Sequence, residues 1–151
     1  MRLLACALLA SLAWAAGLGE VHAVYVLPMS GGLDQYLASR LASEDVFRVV
    51  TDPQQADALF TEQVGAIFEQ KLTELYPPPK PPDAKTDKDD SRPQTHPYTG
   101  GHANGTIFLV DRASRAVIWS SYEKSAKRAP ASLDAEAKRI VSQIQKLKKK
   151  T

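Results

Sequence analysis

Residues 76–104 hold Pro77, Pro78, Pro79, Pro81, Pro82, Pro93 and Pro97, seven of the chain's ten prolines. Between them stand Lys80, Asp83, Lys85, Asp87, Lys88, Asp89, Asp90 and Arg92, and no apolar periodicity runs through the stretch. Proline removes a backbone donor and fixes φ, so neither a helix interior nor a central strand tolerates it at this density. So polar a segment buries too little apolar surface to offset the entropy of ordering it. It therefore reads as a disordered insert. What lies on either side is too short to build a core alone. The flanks are expected to close on each other as a single α/β domain spanning 20–151, with the insert inside it rather than linking two domains. The length of 151 residues suits one domain, and a 44% apolar composition is enough for a core.

The other feature that stands apart is at the start. Arg2 precedes an apolar run, 3–13, broken only by Ser11. The run is short against the ~30 Å hydrocarbon core that a membrane-spanning helix must cross, and basic residue followed by short apolar run is the layout of a secretory signal peptide. Bonds that fit the small-x-small rule include those after Ala15, after Gly19 and after Ala23. One of the first two is preferred, giving a leader of 1–19 at most, because cutting after Ala23 would remove the start of a strand. An uncleaved membrane anchor is the alternative. Cys6, the chain's single cysteine, sits in Leu3-Leu4-Ala5-Cys6. That resembles a lipobox, but so few residues precede it that Cys6 reads as an apolar member of the leader. The mature chain then has no thiol for a disulfide or a metal. The expected location is periplasmic or secreted.

Residues 20–28 read as a strand, rich in valine and ended by Pro28. Ser30-Gly31-Gly32 is a turn, and 32–44 a helix with Leu33, Tyr36, Leu37, Arg40 and Leu41 on one face. Residues 47–51 and 58–64 are further strands, and 66–75 reads as a helix, with Phe68, Leu72 and Leu75 and with Ile67 and Lys71 at helical spacing, the alternative being an extended continuation of the third strand. After the insert, 105–111 and 116–122 form a hairpin around the turn Arg112-Ala113-Ser114-Arg115. Ser132 is expected to cap the last helix, whose stripe is Leu133, Ala137, Ile140, Val141, Ile144 and Leu147. The element order β-α-β-β-(α)-β-β-α predicts a mixed sheet with helices packed on it.

Several of these segments resemble a class of bacterial envelope domains. Residues 24–29, the glycine turn, Leu37-Ala38-Ser39-Arg40-Leu41 and Phe47-Arg48-Val49-Val50 are similar to the opening of the TolB N-terminal domain, the curli-secretion lipoproteins and the penicillin-binding-protein activator lipoproteins. Ala56-Asp57-Ala58-Leu59 looks like that class's entry to its third strand, and 111–120 like its hairpin, with Asp111 ending one strand and Trp119 on the return. The chain differs in its insert, in lacking a lipobox, and in Glu62 where the class usually has a small residue. The resemblance implies an envelope protein as partner.

The net charge of +2, from 19 basic and 17 acidic residues, gives no field that argues for nucleic acid. Ser30-Gly31-Gly32 offers helix N–H groups to an anion but carries no phosphate-loop pattern, so it reads as a turn. His96 and His102, with Asp89 and Asp90, lack the rigid frame of a metal site. Asp57, Glu62, Glu69 and Asp111 lie near strand ends, where turn formation and solvated faces are their ordinary roles. His22 reads as a surface residue, and Ser120-Ser121 lacks the nucleophile-elbow pattern. No catalytic, cofactor or metal residues are assigned. Trp119 and Tyr122 fall on opposite faces of their strand. One is expected in the core and the other exposed for partner docking. Lys146, Lys148, Lys149 and Lys150 form a basic end with a weak pull on anionic lipid. The function expected is a non-enzymatic exported interaction domain. The alternatives are a small-ligand carrier or sensor with a pocket between the sheet and the first helix, and an enzyme of unknown class. Oligomeric state is open.

Overall fold

The computed structural model describes residues 17–77, 105–122 and 129–150. Residues 1–16 of the expected leader, and residues 78–104 of the expected insert with Asp89, Asp90, His96 and His102, lie outside the described residues.

Val24, Tyr25 and Val26 favour extended backbone, and strand β1 runs Ala23–Val26. It is shorter than the 20–28 expected. At its start the N–H groups of His22 and Ala23 go to the Asp57 carboxylate instead of a neighbouring strand. Beyond Ser30-Gly31-Gly32 the chain enters helix α1, Leu33–Ser43. Gly31 and Gly32 have φ of +71° and +82°, a left-handed pair that suits glycine. Strand β2 is only Arg48–Val49. Asp52 caps a single turn at Pro53–Gln55 through Gln54 N–H, and strand β3 follows at Ala58–Thr61. It stops short of residue 64 because Thr61 Oγ1 both donates to the Gln63 carbonyl and accepts from the Gln63 N–H, folding the chain back on itself. Helix α2 spans Ala66–Leu75, as its spacing predicts.

Strands β4, Thr106–Asp111, and β5, Val117–Tyr122, form the expected hairpin. Asp111 organises its turn, accepting from Ser114 N–H at 2.6 Å and Ser114 Oγ at 2.7 Å. Helix α3 begins at Pro130 and ends at Lys148. Ser132 is not its cap. Pro130 takes the first helical position, where its missing N–H and fixed φ cost nothing, so Ala129 is the cap and Ser132 N–H already bonds to Ala129 O. Leu147 also departs from the expected stripe and is exposed.

The sheet order is β2-β1-β3-β4-β5. β1 pairs in parallel with β2 and β3, and β3-β4-β5 are antiparallel, so the sheet is mixed. One face, with Val24, Phe60, Ile107, Leu109 and Trp119, packs on α1 and α3. Phe60 is its centre, 6.3 Å from both the Phe47 ring (tilted at 59°) and the Trp119 ring (edge-on at 75°), within the separation at which aromatic pairs add to area burial. The other face, with Leu27, Leu59 and Val110, packs on Phe68 and Leu72 of α2. α1 and α3 are joined by Arg40, whose Nε and Nη2 donate to the two Asp134 carboxylate oxygens at 2.8 and 2.6 Å. Among the described residues no helix is long and apolar enough to cross a membrane.

Candidate interaction surface

β5 is the terminal strand of the sheet, so among the described residues β4 is the one strand it pairs with. Edge strands expose backbone groups on which another chain can pair. The hairpin register is Thr106↔Tyr122, Phe108↔Ser120 and Leu109↔Trp119, then shifts so that Val110 faces Val117. The shift leaves Ile118 as an extra residue, a β-bulge. It has a consequence that simple alternation misses. Trp119 and Val117 have the same parity, yet Trp119 is 7% exposed in the core whereas Val117, opposite Val110 on the α2 side, is 48% exposed. Tyr122 is 65% exposed. Of the two aromatics, Trp119 is therefore the core residue and Tyr122 the exposed one.

α2 covers β1, β3 and Val110, but its apolar contacts do not extend to β5. The α2 side of the hairpin thus presents Val117, Ser120 and Tyr122 beside half-buried Phe108. Phe108 pairs with Thr61, so Thr106 and Tyr122 lie beyond the carboxyl end of β3. That end of the sheet also carries exposed Val64 and Ile67, where the chain turns from β3 into α2. Sequence reading named Ile67 in the helical pattern of 66–75 but assigned neither residue to the surface. Val64 had been absorbed into a strand, and the stripe of α2 leaves Ile67 on its flank.

The same end holds the turns out of β1 and β3. They diverge to opposite faces, one into α1 and the other into α2, the arrangement in which open α/β sheets bind ligands. Glu62 crosses the gap. Its Oε2 accepts from Ser30 N–H at 2.8 Å and from Ser30 Oγ at 2.7 Å, and the residue is buried. Glu62 thus fixes the glycine turn, with Asp34 accepting from Met29 N–H at 3.2 Å beside it. Gln63 Oε1 lies buried there without a hydrogen-bond partner.

The remaining residues of interest are dispersed. Asp57 is at the opposite end of β3, with Asp111, which pairs with Ala58. Burial works to raise the Asp57 pKa, but the N–H groups of Ala23 and His22 and the nearby His22 and Arg112 charges hold it below the usual carboxylate value. Glu69 is exposed on α2. The exposed His22 has Nδ1 2.7 Å from the Glu20 carbonyl. No group of three potential metal ligands occurs among the described residues. Where the sequence leaves room for a ligand between the sheet and the first helix, Leu33, Leu37 and Leu41 fill that interface. At the basic end Lys148 is drawn inward. Its Nζ donates to the Val46 and Val21 carbonyls at 3.0 and 3.3 Å and sits 4.1 Å from the Phe47 ring centroid, and burial lowers its pKa. The outer face of α3, with Lys138, Arg139 and Lys146, borders an open depression of about 480 Å³. Compared with protein-family models, curated proteins and solved structures, the chain matches none.

Proposed function

We propose that this chain is a non-enzymatic, exported interaction domain that docks an envelope polypeptide on the β5 edge. The observation that carries the reading is Tyr122, 65% exposed on a terminal strand whose other end carries exposed Val117. A partner strand added to β5 would take its affinity from backbone hydrogen bonds and its selectivity from side chains placed over Phe108, Val117 and Tyr122. Aromatic side chains of this kind, apolar in body and polar at the tip, are enriched where proteins meet. The resemblance of 24–29, 37–41, 47–50 and 111–120 to bacterial envelope domains supports an envelope partner, and Arg2 with the apolar run after it supports export.

The test is capture from envelope extract with three baits: the native chain, Tyr122→Ala combined with Val117→Lys, and Lys138→Glu on the far side of the molecule. The native and Lys138→Glu baits are expected to retain the same polypeptide and the β5 bait to lose it. Equal recovery by all three baits would refute docking at β5. The absence of any reproducible partner would refute the interaction reading itself.

A further inference from the structure

The lysines near the end of the chain do not act as one basic end. Lys148 turns inward, to the Val21 and Val46 carbonyls and the Phe47 ring. Lys146, Lys149 and Lys150 stay exposed, and so does Lys138 further back along α3. At the helical repeat, Lys138, Lys146 and Lys149 fall within about 80° of one another round the axis and span about 16 Å along it. The buried stripe Leu133, Ala137, Ile140, Val141 and Ile144 lies on the opposite side. Between the lysines stand exposed Ala135 and half-buried Ser142, and these two line one shallow depression with Lys138 and Lys146.

The carboxylates of α3 leave this face positive. Asp134, whose charge Lys138 also feels, is bound by Arg40 through two hydrogen bonds, and Glu136 is buried. Lys138, Lys146, Lys149 and Lys150 enter no salt bridge among the described residues. Four lysines on one flank carry twice the +2 net charge of the whole chain, so the rest of the molecule is net negative and its field is one-sided. The face has no aromatic ring on which a base could stack, and no apolar centre of the kind a protein partner buries. It offers flexible point charges on an open, convex surface. A fluid array of anionic headgroups matches that, because each headgroup can move beneath a lysine. The short Ala135 and Ser142 let such a surface come close.

We infer that the outer face of α3 rests on an anionic phospholipid surface, bound through Lys138, Lys146, Lys149 and Lys150. Each lysine strengthens the association roughly fivefold, which brings four of them to half-binding near about 1 mM accessible anionic lipid. The contact is reversible and salt-sensitive. It does not rest on docking at β5. α2 lies across the sheet from α3, so a molecule seated this way keeps Val117 and Tyr122 clear of the membrane.

The experiment is flotation of the full chain with phosphatidylglycerol–phosphatidylcholine vesicles and with phosphatidylcholine vesicles, read as the excess bound to the anionic set. The apolar run 3–13 is common to every variant, so the lysine variants isolate the face. Lys138→Gln combined with Lys146→Gln is expected to cut the excess roughly tenfold or more. Lys149→Gln combined with Lys150→Gln, past the last helical residue, is expected to do the same without touching the helix. Lys71→Gln combined with Arg115→Gln removes the same charge from α2 and the hairpin turn and is expected to keep the excess within about twofold. No excess on anionic vesicles, or an equal loss in all three double variants, would overturn the assignment. Capture by duplex DNA or polyglutamate with no vesicle excess would overturn it in favour of that partner.

Discussion

Asp57 is where one side chain holds the edge of the fold most visibly. Its Oδ2 accepts two backbone N–H groups, from His22 at 3.0 Å and from Ala23 at 2.8 Å. Ala23 is buried, so in Asp57→Ala its N–H loses a charge-assisted partner that water replaces poorly, a loss of about 1.5–3 kcal/mol. His22 is exposed, so water takes over there and the bond counts for roughly a few tenths of a kcal/mol. The carboxylate itself is largely exposed, which argues for the lower part of the range. The total expected is about 2 kcal/mol. At about 4 °C per kcal/mol for a domain of this size, the melting temperature falls by about 8 °C. Asp57→Asn keeps an acceptor oxygen without the charge and should lose about half as much. The pH dependence fixes the sign. The folded-state pKa of Asp57 is depressed, so its stabilisation is complete above the unfolded value of about 3.9 and disappears as the pH falls through the folded value. Urea unfolding followed by Trp119 fluorescence and far-ultraviolet circular dichroism, at pH 7 and at successive steps below pH 4, measures both effects. A loss under about 0.5 kcal/mol at pH 7, or a gap between native and Asp57→Asn that does not narrow in acid, would refute the reasoning.

Arg115 closes the hairpin turn with φ of +62°, a conformation that costs a residue with a Cβ roughly 1 kcal/mol or more. Arg115→Gly relieves it at some cost in unfolded-state entropy and should raise stability by about 0.5 kcal/mol, read as a higher urea midpoint; a lower midpoint would contradict the turn geometry. Phe60→Leu removes two ring contacts at the centre of the larger core, so about 1–2 kcal/mol should be lost and Trp119 emission should change; unchanged emission would put Trp119 elsewhere. Arg40 and Asp134 form a bidentate, half-buried pair, with Arg40 pKa raised and Asp134 pKa lowered chiefly by their mutual hydrogen bonds. Arg40→Ala should cost less than Asp57→Ala, and the difference from the native chain should shrink in about 1 M salt.

The elements legible in the sequence were those defined by local pattern. The stripe Leu33, Leu37, Leu41 placed α1, Phe68 and Leu72 placed α2, and Asp111 with its turn placed the hairpin. Strand ends were less legible because non-local partners set them. Asp57 takes the N–H groups at the start of β1 across a separation of 34 and 35 residues. Glu62 reaches Ser30 across 32 residues, and neither pairing leaves a mark in either segment alone. The bulge at Ile118 is similar: alternation puts Val117 with Trp119, and only the register against Leu109 and Val110 separates them. That one of Trp119 and Tyr122 is exposed followed from parity, which left open that it is Tyr122. The exposure of Val64 and Ile67 did not follow, since it depends on where β3 stops.

Strand β3 is buried along its whole length between β1 and β4, and its antiparallel neighbour begins only at Thr106, on the far side of the proline-rich stretch. During synthesis Leu59 and Phe60 must wait, one flank uncovered, until most of the polypeptide has emerged, because pairings so distant in sequence close late. The leading portion therefore cannot complete its sheet before residues 106–111 have been made.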